Sequence, residues 1–459
     1  MLARSTIEKI IDSALSGGDF AEVFCETGHN TRIDSTCDRL ESSSIGVVSG
    51  VGIRILSGYA GIYAYTNSID ETDLLHLARQ ASSILCSEKG RAAPLAKMKE
   101  YADANLVRMA PDTIPYRLKL DVVQRILQAG KAYSGQISQI HVRYLDANQD
   151  VLIANSEGFF AADKRVKTRV YITAYAQADG KLQTGYTGPG ASRGFEFYDE
   201  LNVEAAAREA ARAAVTMLYA PKCRGGRMPV VVEHGFGGLL FHEACGHSLE
   251  SSSVAKKMSE FSDKLGQTIA APILTLVDDG TLAGEWGSLH IDDEGAPAQR
   301  NILIENGVLK SYLVDRVGAR RMGLSPTGSA RRQDYRFSPS SRMTNTFIAP
   351  GSSKAEDIVA ATERGLYVKN ISGGSVNTLT GDFNFTASES YLIENGAIAG
   401  PVCGATLIGN GGTVLQKVDM VGDDLRIGQG YCFDDSGTIP IGAGQPTIRV
   451  SQMTVGGVE

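Results

Sequence analysis

Two histidines, His242 and His247, stand five residues apart in the segment Phe241-His-Glu-Ala-Cys-Gly-His247, and this spacing restricts the local backbone. The segment follows an apolar run at 229–232 and a glycine-rich step at 235–238. This order predicts a strand, a tight turn and a helix. Residues four apart share one face of an α-helix, whereas residues five apart diverge by roughly 140°.

The two imidazoles therefore converge only if the helix departs from α geometry. One i→i+5 turn, a π-bulge, would bring them together, and such bulges gather at functional sites. Alternatively, the helix ends at Cys245-Gly246 and His247 returns from the following loop. Gly246 tolerates either backbone. The interpretation without function is a helix that carries two unrelated histidines, one buried and one exposed.

Histidines that flank a glutamate also indicate a chemistry. The pattern resembles the start of the zinc-protease motif H-E-x-x-H, in which two histidines bind the metal and the glutamate acts as a base. A catalytic zinc takes three protein ligands and keeps one position open. Cys245 is disfavoured as a ligand because its direction opposes that of His242. The third ligand is left open among Cys403, Cys432, His290 and the acids Asp292, Asp293 and Glu294.

Glu243 has a natural role if both histidines bind a metal. It would take a proton from the attacking water and later pass that proton to the leaving amine. The alternative for Glu243 is a surface ion pair. His290 would otherwise be a core residue, and the acids at 292–294 would hold a substrate N-terminus or cap a turn.

Cysteine usage, the N-terminal segment and net charge limit the classes of protein to which this chain can belong. The seven cysteines are odd in number and lack zinc-finger spacing, which favours reduced thiols and a cytoplasmic protein. The N-terminal segment lacks the apolar core of a signal peptide, and no apolar run reaches the length of a membrane span. The net charge of −7, with acids and bases dispersed, argues against a nucleic-acid-binding surface.

Hydrophobic periodicity divides the chain into α+β units. We expect an N-terminal α+β domain at 1–88, a polar, proline-containing linker at 89–115, a middle α+β domain at 116–226 and a C-terminal domain at 227–459. Helices are expected at 6–15, 70–86, 118–132 and 202–218, and strands at 21–26, 45–56, 60–65, 139–144, 151–155 and 165–176.

The strand at 165–176 alternates strictly between apolar and basic positions. Val166, Thr168 and Val170 share one side, and Arg165 and Lys167 begin the other side, which continues at Arg169. Such alternation is typical of a strand with one buried and one solvated face. We therefore expect the basic side chains to face solvent.

Short strands and turns dominate after the His-Glu helix. Asn306-Gly307 and Asn395-Gly396 are strong hairpin signals, because a type I′ turn needs positive φ at both central residues. Helices are expected at 354–364 and near 414–420. The C-terminal domain is predicted to be β-rich, an antiparallel barrel-like or sandwiched sheet with the His-Glu helix packed against it.

The segment His242-Glu-Ala-Cys-Gly-His247 resembles the HExxxH motif of the TldD/PmbA family of metalloproteases. The resemblance covers nearly the whole chain and is most specific in the last half. It is also carried by Gly50-Val-Gly-Ile-Arg, Tyr63-Ala-Tyr-Thr-Asn, Arg342-Met-Thr-Asn-Thr-Phe-Ile, Gly381-Asp-Phe-Asn-Phe-Thr-Ala, Ala405-Thr-Leu-Ile-Gly-Asn-Gly and Gly442-Ala-Gly-Gln-Pro-Thr-Ile-Arg.

Because His242, Glu243 and His247 are present, the chain resembles the TldD-like branch, which keeps the metal site. In that branch the third ligand is a cysteine shortly before a segment that matches Ile439-Pro-Ile-Gly-Ala-Gly-Gln-Pro-Thr. The resemblance thus implies Cys432, rather than Cys403, as the third zinc ligand. One departure is that Phe433-Asp-Asp-Ser follows Cys432 where the branch has Gly-Lys.

The resemblance also implies an activity. It predicts a zinc-dependent peptidase, with Zn²⁺ as cofactor and Glu243 as catalytic base, that cleaves flexible or unfolded peptides inside a dimeric chamber. The chain would form a homodimer, or a heterodimer with a PmbA/TldE-like paralogue, and would trim leader peptides or degrade an antitoxin. The alternatives are a non-catalytic peptide-binding or assembly subunit and a zinc hydrolase of small amides. An intact Glu243 favours the peptidase, since a structural site needs no base.

Overall fold

The computed structural model describes residues 2–37, 39–85, 90–101, 107–377 and 379–458. Helices and strands mix along the whole described chain, so the predicted α+β class is confirmed. The helices are α1 (Arg4–Ala14), α2 (Glu71–Ser83), α3 (Tyr116–Lys131), α4 (Phe197–Glu200), α5 (Val203–Leu218), α6 (Leu239–Phe241), α7 (Ser251–Val254), α8 (Arg316–Met322), α9 (Ala355–Ala360) and α10 (Gly411–Gln416).

The four helices expected in the first half form as α1, α2, α3 and α5, and the final residue of the one expected at 70–86 lies outside the described residues. Polar caps mark two of their starts. The Asp70 carboxylate accepts from the Thr72 and Asp73 amides, and the Asn202 side chain accepts from the Ala205 amide. None of the helices in the described ranges is long and apolar enough to cross a membrane.

One large sheet contains strands from both sides of the predicted linker. Its order is β3-β2-β1-β5-β6-β4, with β7 and β8 also paired to β6. β1 and β5 run antiparallel from the pair Glu22–Asn155 to the pair Thr36–His141. The strands are β1 (Phe20–Thr36), β2 (Arg39–Ser57), β3 (Ala60–Thr66), β4 (Lys99–Tyr101), β5 (Ile137–Asn155), β6 (Phe160–Ala178), β7 (Lys181–Thr187) and β8 (Gly190–Ala191).

β5 corrects one expectation. The two short strands predicted at 139–144 and 151–155 are one continuous strand, because the polar stretch between them pairs with β1 on one side and β6 on the other. The polar side chains of this stretch suggested a break, but its backbone N–H and C=O groups form hydrogen bonds with the neighbouring strands. The domain boundaries stay a prediction.

Helices cover one face of this sheet. α1 and α2 bury Ile7, Ile10 and Leu74 against β1 and β2, and α3 and α5 bury Ile126 and Ala207 against β5 and β6. The opposite face packs against the C-terminal half, where Phe24 and Ile153 contact Ile291 and Tyr335. The central part of the sheet is therefore covered on both sides, whereas the first half of β2 is exposed.

The expectation of a solvated face on β6 is wrong for this reason. Arg165 pairs with Asp293 at 2.6 Å, Lys167 donates to the Trp286 carbonyl at 2.7 Å, and Arg169 donates to the Gln429 carbonyl. All three acceptors belong to the C-terminal half. Alternation identified a polar face correctly, but the polar face is an interface.

The described residues of the C-terminal half form two larger sheets and a two-stranded one. Their strands are β9 (Gly226–Val232), β10 (Leu276–Asp279), β11 (Arg300–Glu305), β12 (Val308–Leu309), β13 (Ala330–Arg331), β14 (Ser340–Ser341), β15 (Asn345–Ile348), β16 (Arg364–Val376), β17 (Asp382–Glu394), β18 (Ala397–Val402), β19 (Thr406–Asn410), β20 (Val418–Val421), β21 (Arg426–Asp434), β22 (Gly437–Gln445) and β23 (Ile448–Gly456).

One of these sheets is barrel-like. It has the order β16-β9-β23-β19-β17-β18. A further pairing of β16 with β17 closes the first five of these strands into a ring, and β18 pairs with β17 outside it. The other large sheet has the order β12-β11-β10-β15-β22-β21. Most pairs are antiparallel as expected, but β9 pairs with β16, and β15 with β22, in parallel.

Both predicted hairpins form. Asn306-Gly307 joins β11 to β12 with φ of 48° and 82°, and Asn395-Gly396 joins β17 to β18 with φ of 51° and 71°. Two helices are shorter than expected. α9 ends at Ala360 because β16 begins at Arg364, and the helix expected near 414–420 is α10, which ends at Gln416 because Val418 pairs with β23.

Glu26 on β1 gives the interface a pH dependence. Its carboxylate accepts from Gln149 Nε2 and from the Tyr335 amide, each at 2.8 Å, and burial raises its pKa from 4.5 to about 7. As pH rises through this window, the unfolded chain loses the proton first, so stability falls. Between pH 5 and 8 we expect wild type to lose up to about 3 kcal/mol relative to Glu26→Gln. Urea unfolding at both pH values measures this, and equal losses would contradict it.

Candidate metal centre

The segment that carries the two histidines forms a π turn. His242–Gly246 is π-helical, and the His247 amide donates to the His242 carbonyl, which is the predicted i→i+5 bond. The two imidazole rings consequently converge, with centroids 5.0 Å apart and planes at 83°. Of the two backbones expected, a π-bulge and a helix end at Cys245-Gly246, the π-bulge is the one that forms. The strand and turn expected before it are β9 and a 3₁₀ turn.

Gly246 has a different use from the one expected. Its φ of −55° is open to any residue, so backbone freedom is not the requirement. A Cβ at Gly246 would lie 2.2 Å from Met343 Sδ. Gly246 therefore lets the turn pack directly on the segment before β15.

Cys432 on β21 joins the two histidines. Its Sγ lies 3.0 Å from His247 Nε2, and one ligand-type atom each of His242, His247 and Cys432 lie within 4.8 Å of one another. β21 is held in register by β22, where Cys432 is opposite Ile439. These three residues form the ligand cluster.

The other ligand candidates lie elsewhere. Cys403 packs with Met217 and Ala220, and its thiol contacts the Ala220 carbonyl at 3.3 Å. Cys245 is buried in the main core of the C-terminal half. His290 Nδ1 lies 2.8 Å from an Asp163 carboxylate oxygen, and its ring stacks on Tyr101.

The acids at 292–294 have partners away from the cluster. Asp292 caps a turn by accepting from the amides of Glu294 and Ala296. Asp293 pairs with Arg165, and Glu294 pairs with Arg54. The turn-capping interpretation is therefore the one that the structure supports for Asp292.

His242 fits a metal ligand on its own chemistry. The residue is 1% exposed, and within the described ranges neither ring nitrogen has a hydrogen-bond partner. Buried imidazole nitrogens normally have hydrogen-bond partners, so the absence of a partner at both ring nitrogens of His242 calls for an explanation. Burial lowers the pKa of His242 well below its ordinary value, and the charges of His247 and Arg342 add to this. A neutral imidazole is the form that binds a metal.

Glu250 orients His247, and the sequence analysis missed it. Its Oε2 lies 3.0 Å from His247 Nδ1, and its side chain is 2% exposed. A carboxylate on one nitrogen sets the tautomer that leaves the other nitrogen free as a ligand. Burial lowers the pKa of His247, but Glu250 and Cys432 outweigh burial and hold it well above its ordinary value. An acid three residues after the second histidine was the available signal.

Glu243 lies beside the cluster without belonging to it. Its Oε2 is 3.7 Å from His247 Nε2, and its side chain keeps 23% exposure. Burial raises its pKa, as does the Glu250 charge. A raised pKa makes this carboxylate a better proton acceptor near neutral pH.

Arg342 closes the inner side of the site. Its side chain is 1% exposed, donates to Ser436 Oγ at 3.2 Å and lies 3.8 Å from Glu250 Oε1. The pKa of Arg342 is raised against the effect of burial by the charges of Glu250 and Cys432. The neighbouring motif residues are structural: Asn345 accepts from the Gly287 amide, and Thr346 donates to Asp278.

Family models match three consecutive parts of the chain. They are domain 1 of the PmbA/TldA metallopeptidases at residues 21–85, their central domain at 110–218 and their C-terminal domain at 225–457. The chain belongs to the PmbA/TldD metallopeptidase family. The resemblance seen in the sequence is thereby confirmed.

Relatives in the PmbA/TldD family are named as proteases. A metalloprotease TldD homolog from Buchnera aphidicola is 35% identical over 89% of this chain and 86% of its own length. Another, from Haemophilus influenzae, is 35% identical over 96% of this chain and 93% of its own length. A zinc metalloprotease TldD homolog from Saccharolobus solfataricus is 28% identical over 57% of this chain and 58% of its own length. The chain is a metallopeptidase.

Solved structures share the PmbA/TldD fold. A protein described as a modulator of a DNA gyrase, from Thermotoga maritima, superimposes with a TM-score of 0.82 at 21% identity, over 98% of this chain and 99% of its own. TldE from Thermococcus kodakarensis superimposes with a TM-score of 0.76 at 19% identity, over 98% of this chain and 99% of its own. At these identities the likeness concerns the fold.

Proposed function

We propose that this chain is a zinc-dependent peptidase in which His242, His247 and Cys432 hold the metal and Glu243 is the catalytic base. The observation that carries the proposal is the ligand cluster, whose three ligand-type atoms lie within 4.8 Å of one another. The buried, unpaired ring nitrogens of His242 support it, because a metal would satisfy one of them.

Two imidazoles and a thiolate favour zinc over magnesium, calcium or manganese. One relative in the same family carries zinc in its name. When bound, zinc supplies Lewis acidity, which lowers the pKa of a coordinated water to about 7. Three protein ligands leave one position open, as catalytic rather than structural sites do.

The remaining steps belong to residues of this chain. The Glu243 carboxylate accepts a proton from the attacking water and later gives that proton to the leaving amine. Glu250 holds the His247 ring through Nδ1, so that Nε2 stays directed at the cluster. Arg342 lies beside Glu250 and restricts its position.

The substrate class proposed is a flexible or unfolded peptide. Such a chain can add as a strand to a sheet edge, with main-chain hydrogen bonds giving affinity without strict sequence preference. Leader-peptide trimming or antitoxin degradation would suit this preference. We further propose a dimeric chamber in the cytoplasm, formed with a second copy or with a TldE-like paralogue, a partnership suggested by the TldE structural neighbour.

Removal of the thiolate tests the metal site. Purified wild type is expected to carry about one zinc per chain, whereas Cys432→Ser should lose most of the metal and the cleavage of unstructured peptides. Cys403→Ser is the matched control, since Cys403 is also buried but lies outside the cluster. Metal analysis by mass spectrometry and a fluorogenic peptide assay give the two readouts. Full metal retention in Cys432→Ser would contradict the proposed ligand set.

Glu250→Gln tests the orientation of His247. The amide keeps the shape but loses the charge that holds Nδ1–H, so zinc affinity should fall roughly 10- to 100-fold. Competition with a chromogenic chelator measures this affinity. Glu260→Gln serves as control, because Glu260 is half-buried but absent from the cluster. An unchanged zinc affinity in Glu250→Gln would show that the 3.0 Å contact does not support the ligand.

A further inference from the structure

A cavity lined mainly by polar and charged residues lies between the large N-terminal sheet and the C-terminal half. Its volume is about 490 Å³, within the range of small-ligand sites. β1, β5 and β6 line one side, and the segment 331–336 with β21 and β22 lines the other. Neither histidine of the ligand cluster lines it.

β21 separates this cavity from the ligand cluster. Cys432 packs with Ile439 and Ile441, whereas the neighbouring Tyr431 lines the cavity together with Pro440. Successive residues of a strand point to opposite faces, so the two sites lie on opposite faces of the β21–β22 hairpin. The cavity is adjacent to the proposed metal centre and distinct from it.

Most charges around the cavity are already paired. Arg165 pairs with Asp163 and Asp293. Arg332 pairs with Glu22, and Arg336 pairs with Asp334. The remaining acid, Glu26, has a pKa of about 7 because of burial, so near neutral pH it supplies only about half a negative charge.

Two basic side chains are left over. Within the part of the chain that the structure describes, neither Lys167 nor Arg331 forms an ion pair. Lys167 donates to the Trp286 carbonyl and to Ser192 Oγ, and Arg331 donates to the Met343 carbonyl. Arg331 is 6% exposed. Burial and the charges of Arg331 and Arg165 lower the pKa of Lys167 well below its ordinary value, and the carboxylates of Asp278 and Asp293 act on Arg331 only from beyond ion-pair distance. A bound carboxylate would favour the protonated lysine and balance the arginine.

The surplus charge selects a kind of ligand. A guanidinium offers a planar fork of donors, and an ammonium offers a point charge, which together suit an oxyanion. The carboxylates of Asp293 and Asp334, although paired, and the partly ionised Glu26 also line the cavity, so a multiply charged anion would be repelled more strongly than a singly charged one. A singly charged carboxylate balances the cations without that repulsion.

We infer that this cavity binds a carboxylate through Lys167 and Arg331, and that the carboxylate is presented by a peptide. The peptide source rests on the proposed function; the carboxylate site itself does not. Either a C-terminal carboxylate or an acidic side chain would supply the same group. The site would anchor a peptide segment beside the metal centre without taking part in cleavage.

Calorimetric titration of the full chain tests the inference. The probes are N-acetyl trialanine with a free C-terminus, its C-terminal amide, an amidated tripeptide with a central aspartate, and inorganic phosphate. Binding of the first but not the amide assigns a C-terminal carboxylate, and binding of the aspartyl peptide assigns an acidic side chain. No carboxylate binding, or binding of phosphate alone, would overturn the inference.

Lys167→Met should weaken carboxylate binding roughly tenfold to a hundredfold, the loss expected for one hydrogen bond to a charged group. Lys164→Met is the matched control, since Lys164 lies on the same strand and pairs with Asp150 outside the cavity. Arg331→Gln provides an independent variant if Lys167→Met does not fold. Equal affinities in all these variants would refute the site.

Each titration is repeated after chelator treatment and in Cys432→Ser. Carboxylate binding that persists without metal, while peptide cleavage is lost, supports the cavity site as separate from the ligand cluster. Carboxylate binding that disappears together with the metal would place the anion at the metal centre and overturn the inference. Failure of the peptidase assay alone would leave the carboxylate result standing.

Discussion

Glu243→Gln is expected to lower kcat for an unstructured peptide by roughly 10²- to 10⁴-fold while zinc content stays near the wild-type value. Glutamine keeps the size of the side chain but has no basic oxygen, so the attacking water keeps its proton. Metal binding should survive because Glu243 lies beside the cluster and is not one of its three members. Steady-state cleavage of a fluorogenic peptide and metal analysis on the same preparation measure both effects.

The control for this variant is Glu285→Gln. Burial also raises the pKa of Glu285, yet Glu285 lies outside the ligand cluster. Activity in this control should stay within about twofold of wild type, a change of about 0.4 kcal/mol in the barrier. If Glu243→Gln cleaves peptides at the wild-type rate with metal bound, the peptidase mechanism fails, and a non-catalytic peptide-binding role becomes the better interpretation.

Arg332→Met should lower the free energy of unfolding by about 3–5 kcal/mol. Arg332 follows β13, and its guanidinium pairs with Glu22 on β1 with side-chain exposures of 1% and 0%. It also donates to the Asp293 carbonyl at 2.6 Å. Removal of the cation leaves the Glu22 carboxylate buried without its ion-pair partner, with Arg54 as the remaining nearby cation. Urea unfolding, followed by circular dichroism, measures the loss.

Two further variants isolate the cause. Arg332→Met combined with Glu22→Leu should regain much of the stability, because neither member of this ion pair is then left buried without the other. Arg336→Met is the control, since the Arg336–Asp334 pair has 48% exposure on the arginine side and should contribute at most about 1 kcal/mol. A single variant that unfolds like wild type, or a double variant that is no more stable than the single one, would contradict this account.

Features that depend on neighbours in sequence were predictable. The five-residue spacing of His242 and His247 reduced the backbone of a converging pair to a π turn or a helix end, because hydrogen bonds within a turn involve only nearby backbone groups, and the π turn is the one that forms. The Asn-Gly hairpins followed from φ preferences of two residues each. Helices α1, α2, α3 and α5 followed from periodicity and, at Asp70 and Asn202, from caps.

Features that depend on long-range packing could not be predicted from the sequence. The basic alternation of β6 predicted a polar face, but only the docking of the C-terminal half decided that this face is an interface. The continuous strand β5 exists because two neighbouring strands satisfy its polar centre. Residue types along one strand do not report what lies across from them.

The sequence by itself placed His242, Glu243 and His247 in one short segment but left their convergence open, because it allowed a π turn, a helix end or two unrelated histidines. It left Cys403 and Cys432 as equal choices until a family resemblance was added, because both lie far along the chain from His247. Only the tertiary structure decided the geometry, through the register of β21 on β22 that brings Cys432 Sγ to 3.0 Å from His247 Nε2. Backbone turns are set locally, whereas the third member of the cluster depends on sheet pairing between distant segments.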